Sequence, residues 1–177
     1  YHNQLERLLG RDREVMRQVI QKASSAPKRL VFPEGNHPKI IRAAQICCEE
    51  GIARPTLLGE PEEIRRIAAE NEVSLDGIDI INQLLHSKRE TYVEDYWNLR
   101  NRSGVTRSEA KRIIERRNYF AAMMVESGDA DGFVSGIARN YPDTLRPALE
   151  VIGTKPGVNR VAGAYLVILE DGVKIFA

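Results

Sequence analysis

Residues 28–39, "KRLVFPEGNHPK", decide how the chain is read. The apolar run Leu30-Val31-Phe32, flanked by basic residues and closed by Pro33-Glu34-Gly35, has the form of a buried strand followed by a loop. Pro38 then stands where a helix can open without losing a hydrogen bond, because the first N–H groups of a helix have no partner inside it. That helix carries Ile40, Ile41, Ala44, Cys47 and Cys48 on one face and ends near Gly51. "ARPTLLGEP" supplies a second short strand and its turn, Pro61 opens a second helix in "EEIRRIAAEN", and "GIDIIN" (77–82) is a third strand-like run. Strand, helix, strand, helix, strand predicts a parallel α/β sheet in three layers, with helices on both faces.

Working outward, Leu5, Leu8, Leu9, Val15, Met16, Val19 and Ile20 recur at helical spacing with a break at Gly10, so residues 1–27 read as a helical entry segment. From Lys88 to Ser127 the pattern is helical. It holds a Tyr92, Tyr96, Leu99 face, a capping box at Thr106 and Glu109, and a core run "YFAAMMV" containing Met123 and Met124. "GFVSG" (132–136) is a fourth strand, followed by a helix to Gly153, which completes a first α/β domain over 28–153. Residues 154–177 read as two strands meeting at Asp171-Gly172, the opening strands of a second α/β domain whose partners are expected beyond the last residue.

Composition narrows the function classes. Of 177 residues, 42% are hydrophobic and 29% charged, which suits a folded globular chain. With 26 Lys+Arg against 25 Asp+Glu, there is no global charge to attract nucleic acid. No apolar run is long enough to cross a bilayer and the first residues are too charged for a signal peptide, so no membrane association and a cytoplasmic setting are expected. Cys47 and Cys48 lack metal or redox spacing and read as buried free thiols.

One segment invites a ligand. In "VSGIARNYPDTLRPAL" (134–149), taking Thr144 as N-cap makes Leu145, Arg146 and Pro147 the first helical residues. Free N–H groups, the helix dipole and a guanidinium would then converge as an anion or phosphate site; an ordinary capped helix with a surface arginine fits the same residues. Between Asn98 and Asn118 seven cationic residues (Arg100, Arg102, Arg107, Lys111, Arg112, Arg116, Arg117) outnumber two acidic ones, which fits either a polyphosphate patch or a solvated helix face. Glu34 and His37 could pair as acid and base after the first strand, or simply shape a turn. Neither a dinucleotide-binding glycine fingerprint nor a P-loop is present.

Several motifs in order, "LVFPEG", "IIRAAQ", "GIARPTLLG", "YFAAMMVESGDADGFVSG" and "DTLRPALEVIGTKPGV", resemble the phosphate acetyl/butyryl transferase family. Within it, "RNYPDTLRPAL" is most similar to the phosphotransacetylase-like C-terminal domain of hybrid NADP-dependent malic enzymes, since phosphotransacetylases usually carry His-Thr-Thr-Ala or similar where Arg139-Asn140-Tyr141-Pro142 stands here. The resemblance implies binding of acetyl-CoA or CoA by Arg100, Ser135, Gly136, Thr144 and Arg146. It places the family's catalytic serine, arginine and aspartate in a later segment, so no catalytic residue is expected here. It implies an allosteric, homo-oligomer-forming regulatory domain attached to a malic enzyme catalytic domain. That parent would be an oxidoreductase turning malate into pyruvate and CO2 with NADP and a divalent metal, Mg or Mn, all held outside this segment. The alternative is part of an active phosphate acetyltransferase, an acyltransferase moving acetyl between CoA and phosphate.

Overall fold

The computed structural model describes residues 15–138, 140–158, 160–169 and 172–176. Residues 15–25 form α1. There follow β1 (Lys28–Phe32), α2 (Pro38–Glu49), β2 (Ala53–Leu58), α3 (Pro61–Glu70), β3 (Asp79–Ile81) and α4 (Arg89–Arg100). A short 3-10 turn leads to α5 (Arg107–Ile114), α6 (Arg117–Glu126), β4 (Gly132–Phe133), α7 (Tyr141–Val151), β5 (Tyr165–Leu169) and β6 (Gly172–Phe176). The first four strands make a parallel sheet in the order β3-β2-β1-β4, and β5 and β6 pair antiparallel in a sheet of their own.

Alternation along the strands splits the core in two. Val31 and Leu58 point to one face and meet Tyr92, Tyr96, Ile114, Phe120 and Met123 from α4, α5 and α6. Phe32 and Leu57, in register, point to the other and meet Ile41 and Ala44 of α2 and Ile64 and Ala68 of α3. A sheet covered on both faces explains why its strands read as apolar runs rather than alternating ones. In α6, Tyr119 to Met124 are all buried, as befits a helix apolar on every side in the middle of a layer.

Helix starts fall where the sequence marks them. Pro38 and Pro61 open α2 and α3, and the Thr106–Glu109 capping box is formed in both directions. Gly35 marks the tightest approach: its N–H donates to the Leu58 carbonyl at 3.2 Å, and an added Cβ would lie 2.7 Å from that oxygen. Only glycine fits there.

Two expectations change and a third goes untested. The part of the entry segment around Leu5 to Gly10 lies outside the described residues. In the hairpin Gly172 pairs with Leu169 and so belongs to the strand, while Asp171 lies outside the described residues. Cys47 and Cys48 are half-buried rather than buried, because they sit toward one margin of α2; Cys48 Sγ donates to the Gly77 carbonyl at 3.3 Å, and burial pushes both thiols up. No helix among the described residues is long and apolar enough to cross a membrane.

Candidate functional site

In this sheet β1, β2 and β3 step one way from the centre and β4 is added on the other side of β1. At such a reversal the loops leaving the carboxyl ends of the two strands part, and a crevice opens between them. A cleft of about 800 Å³ lies there. Pro33, Glu34 and His37 border it beyond β1, Ala138 beyond β4, Arg116 to Tyr119 at the start of α6, and Asp143 and Arg146 on α7.

Glu34 is 8% exposed, and its carboxylate is occupied by backbone: Oε2 accepts from Gly136 N–H at 3.1 Å and Oε1 from Ala138 N–H at 3.0 Å. It fastens the loop after β4 to the end of β1. His37 is the N-cap of α2, its Nδ1 accepting from Lys39 N–H at 3.2 Å. The pair forms a clamp and a cap. Arg117 donates to Asn36 Oδ1 at 2.8 Å. Asn118 accepts from Ser135 Oγ at 3.3 Å and donates to the Asp143 carbonyl at 3.2 Å.

The helix mouth differs from its expected form. α7 begins at Tyr141 with Asn140 as N-cap; Pro142 takes the early position and Pro147 lies inside the helix. Thr144 is not the N-cap but the fourth helical residue, with a buried hydroxyl that finds no partner among the described residues. The two prolines offered two starts, and the nearer pair Asn140 and Pro142 won. Asp143, in the first turn, places its own carboxylate at the positive helix end, so anion attraction here falls to arginines rather than to the dipole.

Of the five predicted ligand residues, the structure brings Arg146 to the cleft wall. Ser135 and Gly136 act in the loop beside it through Asn118 and Glu34. Arg100 is not among the cleft-lining residues. It ends α4 beside Tyr96, with Nε buried and unpartnered. There Glu150 Oε2 accepts from Tyr119 at 2.7 Å and Tyr96 at 3.2 Å; burial, then the carboxylate charge, pushes Tyr96 up to about 12 and raises Tyr119 as well.

The basic run is likewise dispersed rather than a single patch. Arg107 pairs with Glu94 and lies 4.0 Å over the Trp97 ring, and Lys111 faces Glu90. Helical periodicity spreads such a run over several faces. Arg116 and Arg146 both line the cleft and neither has an ion-pair partner among the described residues. Glu34, Asn118 and Arg116 were the residues sequence reading undervalued. Only Glu34, in "FPEG", carried a local signal.

Comparison with known proteins places these features. The family described as phosphate acetyl/butaryl transferase matches residues 14–177. The chain is 38% identical over 169 residues to the phosphate acetyltransferase of Thermoanaerobacterium thermosaccharolyticum, covering 92% of this chain and 51% of that protein. It is 39% identical over 160 residues to the phosphate acetyltransferase of Synechocystis sp., covering 89% and 23%. The phosphotransacetylase structure from Streptococcus pyogenes superposes with a TM-score of 0.88 at 33% identity, covering 93% of this chain and 50% of that one. The chain thus spans between about a quarter and a half of the length of these relatives.

The expectation of a malic enzyme oxidoreductase with NADP and a divalent metal is overturned by these matches, which are to phosphate acetyltransferases, that is, acyltransferases. Its main support was the stretch "RNYPDTLRPAL" together with the absence of the family's catalytic residues, too little to set against likeness to phosphate acetyltransferases along nearly the whole chain. The match across residues 14–177 and the shared fold together establish that this chain belongs to the phosphate acetyl/butaryl transferase family.

Proposed function

We propose that the chain is part of a phosphate acetyltransferase, moving acetyl between coenzyme A and phosphate, and that its cleft holds the anionic groups of these substrates. The observation that carries this reading is the pair Arg116 and Arg146, lining one cleft with neither held in an ion pair among the described residues. A guanidinium binds phosphate oxygens through two donors at once, which suits both the phosphates of CoA and free phosphate.

In the transfer the CoA sulfur attacks the acetyl phosphate carbonyl carbon, a C–S bond forms, the C–O bond to phosphate breaks, and the thiol proton passes to a base. Charge builds on the carbonyl oxygen and the departing phosphate, where preorganised cations lower the barrier. Ser135 and Gly136 support the wall that presents Arg146, Thr144 stands two residues before it on α7, and Arg100 lies away from the cleft wall at the end of α4.

The test is acetyl phosphate formation from acetyl-CoA and inorganic phosphate by the full-length protein, with Arg146→Ala beside it. The substitution is expected to raise KM for acetyl-CoA at least about tenfold, the loss of one charged hydrogen-bonded contact. Absence of acetyl transfer by the unsubstituted protein would overturn the reading.

A further inference from the structure

We infer that Asn118 is a positioning residue that clips the first turn of α7 to α6 and thereby sets Arg146 in the cleft. This rests on the proposed function for what Arg146 binds, but not for the clip itself.

The argument starts from Pro147. A proline within a helix has no N–H to give to the carbonyl four residues back, which here is that of Asp143. That carbonyl is not left bare: Asn118 Nδ2 donates to it at 3.2 Å. The same amide is used at its other end, where Oδ1 accepts from Ser135 Oγ at 3.3 Å. The Asp143 carbonyl can only accept, which fixes which way the amide faces, and the Ser135 hydroxyl then donates to the oxygen left over. One side chain on α6 therefore holds both ends of the segment that runs from the end of β4 into α7. Arg146 follows Asp143 by three residues, so it lies on the turn whose carbonyl is clipped. The proline makes the clip necessary, and Asn118, a cleft-wall residue itself, supplies it.

Because the missing donor is the proline's, restoring it removes the need for Asn118 at the Asp143 carbonyl, the bond that bears on α7, while the bond to Ser135 is untouched. This gives a double-mutant cycle on the full-length protein: Asn118→Ala, Pro147→Ala and both together, read by amide hydrogen exchange over residues 144–151 and by CoA affinity from calorimetry. In the native background Asn118→Ala is expected to speed exchange and weaken CoA binding, each by about tenfold. In the Pro147→Ala background the backbone regains an N–H at that position, able to reach the Asp143 carbonyl. There the same Asn118 substitution should change each readout by less than about threefold, the non-additivity of two residues serving one carbonyl.

Equal effects in both backgrounds, or unchanged exchange, would overturn the clip. Accelerated exchange with CoA affinity unchanged would overturn the positioning of Arg146. If the unsubstituted protein binds no CoA, the proposed function fails, and the exchange cycle still decides the clip.

Discussion

The two sides of β1 are held by different means. Toward β2 the backbone ladder runs over five residue pairs, from Lys28 opposite Ala53 to Phe32 opposite Leu57. Toward β4 it runs over two, Leu30 opposite Gly132 and Val31 opposite Phe133. What the ladder omits, side chains supply: Asp131 accepts from the Arg29 N–H at 2.8 Å and from its guanidinium, Glu34 takes Gly136 and Ala138, and Asn118 takes Ser135 and Asp143. The cleft lies on that second side. Side-chain clips can be placed wherever a loop must be held open, whereas a ladder can only continue straight.

This contrast can be broken most easily at its strong side. Leu58→Ala, at a fully buried position between the sheet and α4–α6, should cost about 2–5 kcal/mol in denaturant unfolding. A loss smaller than that at the clips would reverse the comparison. Glu34→Gln keeps the size of the side chain but leaves one backbone amide facing a donor. The expected loss is about 1.5–3 kcal/mol, with faster hydrogen exchange confined to the residues after β4. Exchange quickening equally in β1 to β3 would show that the two sides are not separate.

Glu150→Gln weakens the tie of α7 to Tyr96 and Tyr119 by exchanging a charged acceptor for a neutral one, about 0.5–1.5 kcal/mol. Because folding raises both tyrosines, the stability they carry is complete below their ordinary pKa of about 10 and is lost as pH rises. An ultraviolet titration should find Tyr96 still protonated past pH 10, with its midpoint near 12.

The smallest effect is at Asp131. Its hydrogen bonds to Arg29, side chain first and then backbone, hold the carboxyl well below the usual range. Its stabilisation is therefore complete above the ordinary aspartate pKa of about 3.9 and fades as pH falls below it. Asp131→Asn should lower stability near neutrality and match the unsubstituted protein at strong acid. A constant difference across pH would remove this clip from the account.

The laddered side was the legible one. Apolar runs bounded by Pro33, Pro38 and Pro61 set β1, α2, β2, α3 and β3 in order, because burial on both faces and helix starts leave local marks. The clipped side was not, since its bonds join distant residues. Glu34 meets amides 102 and 104 residues later, and a backbone amide has no signature in a sequence. Thr144 was misplaced for a related reason. A proline inside a helix looks like one at its start until Asn118 is seen beneath the carbonyl it leaves bare. The sequence singles out Arg146, which lines the cleft, but not Arg116 within its basic run, since spacing alone does not say which arginines border a cleft outside an ion pair.

The distance between Glu34 and its amides is also a delay. A ribosome adding about 5–20 residues per second releases Glu34 roughly 5–20 s before Gly136 and Ala138 exist. Through that interval β1 to β3 can fold against α2 and α3, while the open edge of β1 and the unpaired carboxylate wait beside any strand a neighbouring nascent chain offers. The clip that spans the most chain in the finished protein is the one that leaves it longest at risk while it is being made.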